Sequence, residues 1–454
     1  MAVTQFPVTQ CEWHLRVFML AWPIILSNLS IPLVGIVDTA VVGQISDPKY
    51  MASVAVGATI FSSVFWIFGF LRMGTTGFVS QALGADNQQE IAESLVRALI
   101  IALALSVIVI ALQTPIAWAA LELMNPGATL EPVISEYFSI RIFSAPATFI
   151  NYCILGCLIG LQKMRLALML QLVLNGSNLL LDVLFVLYLG MDADGVAWAS
   201  LISECIACLA GLWFLRGYFT LLFRQKSQPI FQWLLALFPT DKFKAFFEVN
   251  GNLFLRTLFL TAAFFFFTSR SAQFGVVVLA ANAILINLLQ MLAYGLDGFA
   301  QAAESLTGGA FGAKNRRAVE QAVKSSTLWA GIMACLIAIL YAIFGGSIIN
   351  SMTVNPEVIE TALSYLPWLI AAPVIAVWSY QFDGIFTGAM ATRTMRNTVL
   401  FSAVIYVGLV FVLTPWLGNH GLWLSMMAFL LLRGVSLGLA YPKLLSSQDW
   451  RAVD

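Results

Sequence analysis

Four polar side chains inside apolar runs have the types and spacing to do chemistry: Asp38, Asn178, Asp182 and Ser200. Asp38 stands near the far end of AWPIILSNLSIPLVGIVDTAVVGQI, residues 21–45, a run that covers the roughly 20 apolar residues needed to cross a bilayer. A charge at such a depth costs at least about 2.5–3.5 kcal/mol on insertion scales, so an acid kept there points to function. The chemistry open to it is exchange of a proton or pairing with a cation. Pro23 and Pro32 lie in the same run. Each removes a backbone donor and crowds the preceding turn, so this helix can bend where its neighbours cannot.

A second polar group lies in LVLNGSNLLLDVLFVLYLG. Asn175, Asn178 and Asp182 are spaced i, i+3, i+7 and share one helix face. Two amides and an acid on one face inside a membrane must look into a helix bundle or a water-filled cavity. Ser27, Asn28 and Ser30 beside Asp38, Asn151 with Tyr152, and Ser200 with Glu204 one turn later complete a polar patch in the first half of the chain. Its alternative use is a hydrogen-bonded cluster that only holds helices together.

The elements that must position these residues follow from composition. Of 454 residues, 60% are hydrophobic and 10% charged, against roughly 25% charged in soluble domains. An all-α integral membrane protein is expected. Net charge is zero with no basic block, which removes the electrostatic case for nucleic acid. Glu12, His14 and Arg16 precede the first apolar run and no small-residue cleavage site follows, so no cleaved signal peptide is expected. Five of the six cysteines lie in apolar runs, and Cys205 and Cys208 have no histidine or acidic loop around them. They read as small apolar residues at helix contacts, with no disulfide framework and no metal site.

Breaks at polar and Pro/Gly clusters predict twelve spans, at 17–44, 52–81, 93–119, 132–159, 164–188, 196–218, 246–269, 276–305, 320–344, 357–386, 397–416 and 421–442. Most of the 23 Lys and Arg fall on one side, among them Arg16, Lys163, Arg165, Lys314, Arg316 and Arg317. That side is cytoplasmic by the positive-inside rule, and both termini are expected there.

The chain repeats itself at a shift of 228 positions. Gly84-Ala85-Asp86-Asn87 is matched by Gly312-Ala313-Lys314-Asn315, and Gly156-x-x-x-Gly160 by Gly384-x-x-x-Gly388. The glycine pairs suit close helix packing. Six spans per repeat is an even number, so two parallel six-helix bundles are expected, related by a pseudo-two-fold axis along the membrane normal. The boundaries read as a lobe over 1–218, a cytoplasmic linker over 219–245 and a second lobe over 246–454.

The repeat also exposes an asymmetry. Shifted by 228, Asp38 lands on Phe266, Asn178 on Tyr406 and Asp182 on Val410. One lobe then handles the proton or cation while the other offers aromatic and apolar surface. Among the second-half acids Glu248, Asp297, Glu304 and Asp383, Asp297 is expected to pair with Arg256.

The Trp22-Pro23 start, Asp38, Asn178-x-x-x-Asp182 and twelve spans in two halves together resemble the multidrug and toxic compound extrusion (MATE) exporters of the MOP superfamily. Leu296-Asp297-Gly298-Phe299-Ala300, Phe382-Asp383-Gly384-Ile385-Phe386 and Met395-Arg396-Asn397 look like their DinF branch. The resemblance covers almost the whole chain. It implies an antiporter that expels amphipathic, often cationic drugs against an inward proton or sodium gradient. It also implies a proton-linked network at Asp38, Asn178, Asp182 and Ser200, with bending at Pro23. Val34 departs from the tyrosine of some members, which makes that network smaller. The expected protein is a monomer of the bacterial inner membrane that handles drug-like substrates and protons amid lipid, with no cofactor. Substrate is expected to meet Asp38, Asp182, Asn151, Tyr152, Phe266, Trp378 and Phe382. Rival readings are a sodium-coupled exporter using acids such as Asp383, and a lipid or lipid-linked sugar flippase. An enzyme lacks support: there are two histidines, His14 and His420, and no recognisable nucleophile–base pair or phosphate loop.

Overall fold

The computed structural model describes residues 6–43, 47–124, 126–224 and 239–450, with side chains over those ranges other than at 31–34, 36–40, 42, 48, 223–224 and 240. Every regular element among them is helical. The first half holds α1 (Gln10–Val42), α2 (Pro48–Ile67), α3 (Phe70–Gly84), α4 (Gln88–Ala111), α5 (Gln113–Met124), α6 (Glu131–Arg141), α7 (Ala145–Gly160), α8 (Met164–Asp182), α9 (Ala193–Phe214) and α10 (Arg216–Arg224). The second half holds α11 (Thr240–Ala272), α12 (Val276–Gly312), α13 (Arg316–Met352), α14 (Pro356–Gly388), α15 (Thr392–Leu417) and α16 (Asn419–Ser446). Eleven helical stretches among the described residues are long and apolar enough to cross a membrane. The 33 residues of α1, at a rise of about 1.5 Å each, give a twelfth helix of sufficient length.

Five predicted spans are interrupted, the third at Leu112 and the sixth at Leu215. The second breaks at Phe68 and Gly69, whose N–H groups donate back to Phe65 O at 2.9 Å and Trp66 O at 3.0 Å. The fourth passes through a 3-10 turn, Ile142–Ser144, just ahead of Pro146, which has no N–H for the ladder. The fifth changes at Asp182 into a π turn, Val183–Tyr188, closed by Leu189 N–H donating to Leu184 O at 3.0 Å.

The 228-residue repeat is visible in the backbone. Left-handed φ occurs at Asp86 (55°) and Lys314 (54°), at Gln162 (59°) and Met390 (57°), and at Gly190 (67°) and Gly418 (56°). The first four end helices by the same bond to the carbonyl five residues back: Asn87 N to Ala82 O and Asn315 N to Ala310 O at 3.0 Å, Lys163 N to Leu158 O at 2.8 Å, and Ala391 N to Phe386 O at 2.9 Å. The following helices α4 and α13 are capped alike. Asn87 Oδ1 accepts from Glu90 N at 2.9 Å and Asn315 Oδ1 from Ala318 N at 3.0 Å.

Glycine spacing sets the packing in the same register. A Cβ on Gly156 would stand 2.3 Å from Arg72 O, and one on Gly384 2.2 Å from Ala300 O. Hence α7 lies backbone-close on α3, and α14 on α12. The core around α7 is formed by Val79, Ile91, Leu95, Ile154, Leu158 and Leu170, with Cys157 as one more apolar filler.

The chain divides into two compact units: Met1–Ile25 with Gly84–Asp86 and Phe246–Asp454, and Leu26–Leu83 with Asn87–Ala245. The start at Phe246 coincides with the sequence-based start of the second lobe, whereas the grouping of Met1–Ile25 with the second half differs from the sequence-based lobe over 1–218. The start of α1 belongs with the second half because Gly298 on α12 admits it: a Cβ there would lie 2.3 Å from Ile25 Cγ1. Phe18 also packs on Trp329, with ring centroids 5.5 Å apart. The start of α11 belongs with the first half. Lys242 pairs with Glu90 and Glu93 of α4, which also hold the buried Arg97 at 3.0 and 2.8 Å.

Candidate functional site

The polar face read from the spacing of α8 is real, and it meets two neighbouring helices. At one end Gln171 Nε2 donates to Asn175 Oδ1 at 3.1 Å, and Asn175 Nδ2 donates to Ser30 Oγ of α1 at 2.6 Å. Ser30 Oγ in turn donates to Ser27 O at 2.6 Å. At the other end Asn178 Nδ2 donates to Ser200 Oγ of α9 at 3.4 Å. One turn beyond Asn178, Asp182 is 0% exposed and ends the α-helical part of its span. The π turn that follows is a feature which gathers at functional sites, and no periodicity in the sequence announces it.

Asp38 belongs to the helical backbone of α1, and so does Pro32. Their side chains lie outside the described residues. Pro23 is buried in the same helix.

Asn151 and Tyr152 lie on α7. Asn151 Nδ2 donates to Glu204 of α9, at 2.7 Å to Oε2 and 3.0 Å to the backbone carbonyl. Tyr152 stacks on Phe149 with ring centroids 6.4 Å apart. It lies within electrostatic range of Glu204, Arg141 and Arg72, so both arginines belong to this group.

In the other unit, Phe266 packs edge-on against Tyr406 at 5.9 Å. These residues stand 228 positions after Asp38 and Asn178. Val410, the counterpart of Asp182, is completely buried. Phe382 touches Phe386 and Tyr441, while Trp378 is 44% exposed and packs at Gly434. Among the described residues no ring contact joins Phe266 to Trp378 or Phe382.

Arg256 has a carboxylate partner that the sequence reading did not name. The ion pair that the structure describes runs from Arg256 Nη2 to Asp383 Oδ2, and Arg433 Nη2 reaches the same oxygen at 2.6 Å. Arg256, Asp383 and Arg433 come from α11, α14 and α16 and are 12%, 7% and 4% exposed at the side chain. Sequence reasoning passed over Arg433, although a cation in the middle of the last span must find a partner. Among the described residues no group of three or more His, Cys, Asp or Glu is placed to hold a metal ion.

The MatE family model matches residues 23–184 and 253–412. The chain is 37% identical to the DNA damage-inducible protein F of Escherichia coli (strain K12), over 97% of this chain and 93% of that one. It is 24% identical to the probable multidrug resistance protein NorM of Bacillus subtilis (strain 168), over 60% of this chain and 59% of the relative. Solved structures share the fold. A MATE protein in a bent conformation superposes with a TM-score of 0.84 at 18% identity, over 98% of each chain. A MOP-superfamily transporter from Pyrococcus furiosus superposes at 0.83 and 19% identity, over 96% of each. Two family matches of similar length, one on each side of the junction, coincide with the repeat seen in the backbone turns, and this chain belongs to the MatE family of membrane transporters.

Proposed function

We propose that this transporter exports amphipathic, cationic compounds in exchange for protons, and that Asp38 and Asp182 carry the coupling together with the hydrogen-bonded pair Asn178 and Ser200. The observation that carries the reading is a buried acid in one repeat and an aliphatic residue at the same place in the other. Asp182 is 0% exposed, and so is its counterpart Val410. A scaffold requirement would apply to both halves. A coupling group is needed once.

The bond from Asn178 to Ser200 gives the acid a polar neighbourhood that can follow a change of charge, and the π turn beside Asp182 gives the helix a local alternative to its α ladder. Protonation of the acids and binding of a cationic substrate then oppose one another, which is the thermodynamic content of antiport. Bending of α1 at Pro23 and Pro32 opens the route for release. Aromatic surfaces at Phe266, Trp378, Phe382 and Tyr152, with Asn151, suit the apolar bodies of such substrates.

The sodium-coupled alternative would use acids such as Asp383. Two guanidinium groups already occupy one oxygen of that carboxylate, which favours coupling in the first half. The protein acts as a monomer in the bacterial inner membrane with both termini cytoplasmic. Reconstitution into vesicles under separate pH and sodium gradients tests the proposal. Substrate flux should follow the pH gradient with sodium absent, and flux that requires sodium would overturn proton coupling.

A further inference from the structure

The described part of the first-half unit holds a second buried acid that this coupling scheme does not use. Glu204 is 9% exposed and lies on α9 one turn after Ser200, so both project from the same face. The two asparagines from neighbouring helices reach successive turns of that face. Asn178 of α8 donates to Ser200 Oγ, and Asn151 of α7 donates to Glu204 Oε2 at 2.7 Å. Asp182, Asn178, Ser200, Glu204 and Asn151 therefore follow one another along three helices.

The way Glu204 is held separates it from a structural ion pair. Asp383 in the other unit has two guanidiniums on one carboxylate oxygen, and discharging it would leave two buried cations facing each other. The hydrogen-bonding neighbours of Glu204 are uncharged, the Asn151 amide at 2.7 Å and the Thr148 hydroxyl. Its cationic neighbour is Arg141 of α6, within electrostatic range but beyond ion-pair contact. Arg141 instead donates to Ser144 Oγ at 2.6 Å and lies over the Phe61 ring at 5.8 Å. A carboxyl held by an amide can gain or lose a proton without breaking a salt bridge. The charged and titratable groups around it are Arg141 from α6, Tyr152 from α7, and Cys205 and Cys208 on α9 itself, with Arg72 of α3 beyond Tyr152 and Asp182 on α8 one turn from Asn178, on the far side of the Asn178–Ser200 bond from Glu204. On α2 the only such groups, Lys49 and Tyr50, stand at its outer end.

The repeat shows that packing does not demand these residues. Shifted by 228, Glu204 becomes Leu432, Asn151 becomes Ser379 and Arg141 becomes Leu369. The group is built once, in the same half as Asp182.

We propose that Glu204 is a second proton-exchanging carboxyl of the transport cycle, linked to Asp182 through Ser200 and Asn178. The proposal rests on the proton-coupled reading above and fixes where a further proton is carried. Uptake of one proton by the carboxylate makes Glu204 neutral and leaves Arg141 as an uncompensated cation, which in a low-dielectric interior disfavours a bound cation nearby. Loss of that proton restores the balance and favours cation binding.

The test is a pH-jump infrared difference spectrum of the purified protein in lipid vesicles, for wild type, Glu204→Gln, Glu204→Asp and Asp182→Asn. Over roughly pH 5 to 9, where buried acids titrate, the wild type should show carboxylate-to-carboxyl conversion with one component lost in Glu204→Gln and a different one lost in Asp182→Asn. Glu204→Asp should keep its component at a displaced midpoint, and it decides the matter if Glu204→Gln fails to fold. Flux of the lipophilic cation tetraphenylphosphonium per unit of imposed pH gradient should fall in Glu204→Gln and recover in part in Glu204→Asp. A Glu204→Gln spectrum that superposes on wild type, or a Glu204→Asp midpoint that does not move, would make Glu204 a structural residue and overturn the proposal. An Asp182→Asn spectrum that superposes on wild type while the Glu204 component remains would overturn the role given to Asp182 and leave Glu204 standing.

Discussion

Replacing Asp383 and Asp182, separately, by asparagine puts the same isosteric change at two buried acids and should give different results. Asparagine at 383 removes a buried negative charge beside the guanidiniums of Arg256 and Arg433, which both bond to one of its oxygens. Removing one member of a buried ion pair typically costs about 3–5 kcal/mol, because the remaining charge stays desolvated. With side chains 12% and 4% exposed, neither arginine recovers much hydration. At a few degrees per kcal/mol for chains of 150–250 residues, and less for a longer one, the apparent unfolding midpoint should fall by on the order of 5–10 °C. Asparagine at 182 keeps the size of the side chain and leaves the Asn178–Ser200 bond in place, so its midpoint should fall less than that of Asp383→Asn while export is lost. The assay is thermal unfolding in detergent followed by size-exclusion chromatography, alongside dye export from cells expressing each variant. A fully stable Asp383→Asn would refute the ion-pair reasoning. An Asp182→Asn protein that unfolds as readily as Asp383→Asn would make Asp182 part of the scaffold.

Further outcomes follow from the same geometry. Tyr406 is fully buried and its hydroxyl has no hydrogen-bond partner among the described residues, so Tyr406→Phe should be neutral or slightly stabilising with export retained; a severe loss of export would contradict the asymmetry between the repeats. Gly156→Val and Gly384→Val should each lower stability by at least the 1–3 kcal/mol typical of overpacking, since a Cβ at either place meets a backbone carbonyl at 2.3 or 2.2 Å; unfolding midpoints equal to wild type would show that these helices can separate freely. Replacing Pro23 and Pro32 by alanine restores backbone donors and removes the ring clash, so expression should survive while export falls, and normal export would show that bending of α1 is dispensable. Asp47 caps α2, and the Lys49 backbone N–H, then the Lys49 ammonium, hold its carboxyl below the ordinary range. A lowered pKa means that the cap is intact above the unfolded value of about 3.9 and fails below it. Amide exchange at the start of α2 should therefore accelerate as pH falls through that region, and a flat profile would contradict the cap.

Much of the fold was legible because a membrane imposes few options. Long apolar runs must be helices, and the Gly-Ala-Asp-Asn and Gly-Ala-Lys-Asn turns announced a repeat that the left-handed Asp86 and Lys314 then made concrete. The polar face of α8 was legible from period alone. Partner choice was not. The pairing of Arg433 and Arg256 with Asp383 depends on which helices meet, and no local pattern encodes that. The start of α1 groups with the second half because Gly298 admits Ile25, a contact between residues far apart in sequence. The 3-10 turn before Pro146 had a visible cause, whereas the π turn after Asp182 follows an ordinary apolar stretch. Glu204 was visible as an intramembrane acid, but its amide partner Asn151 lies 53 residues away.

The most direct test of acid-based coupling in the first half is the affinity for tetraphenylphosphonium as a function of pH, in wild type, Asp38→Asn and Asp182→Asn, without sodium. If a proton and the cation compete, protonation must weaken cation binding by the factor by which the cation weakens proton binding. Wild-type affinity should fall as the medium is acidified across roughly pH 8 to 6, the region where buried carboxyls titrate, and the dependence should flatten in both variants. An Asp38→Asn protein that keeps the wild-type pH dependence would remove Asp38 from the mechanism, and the same result for both variants would remove the first-half acids altogether.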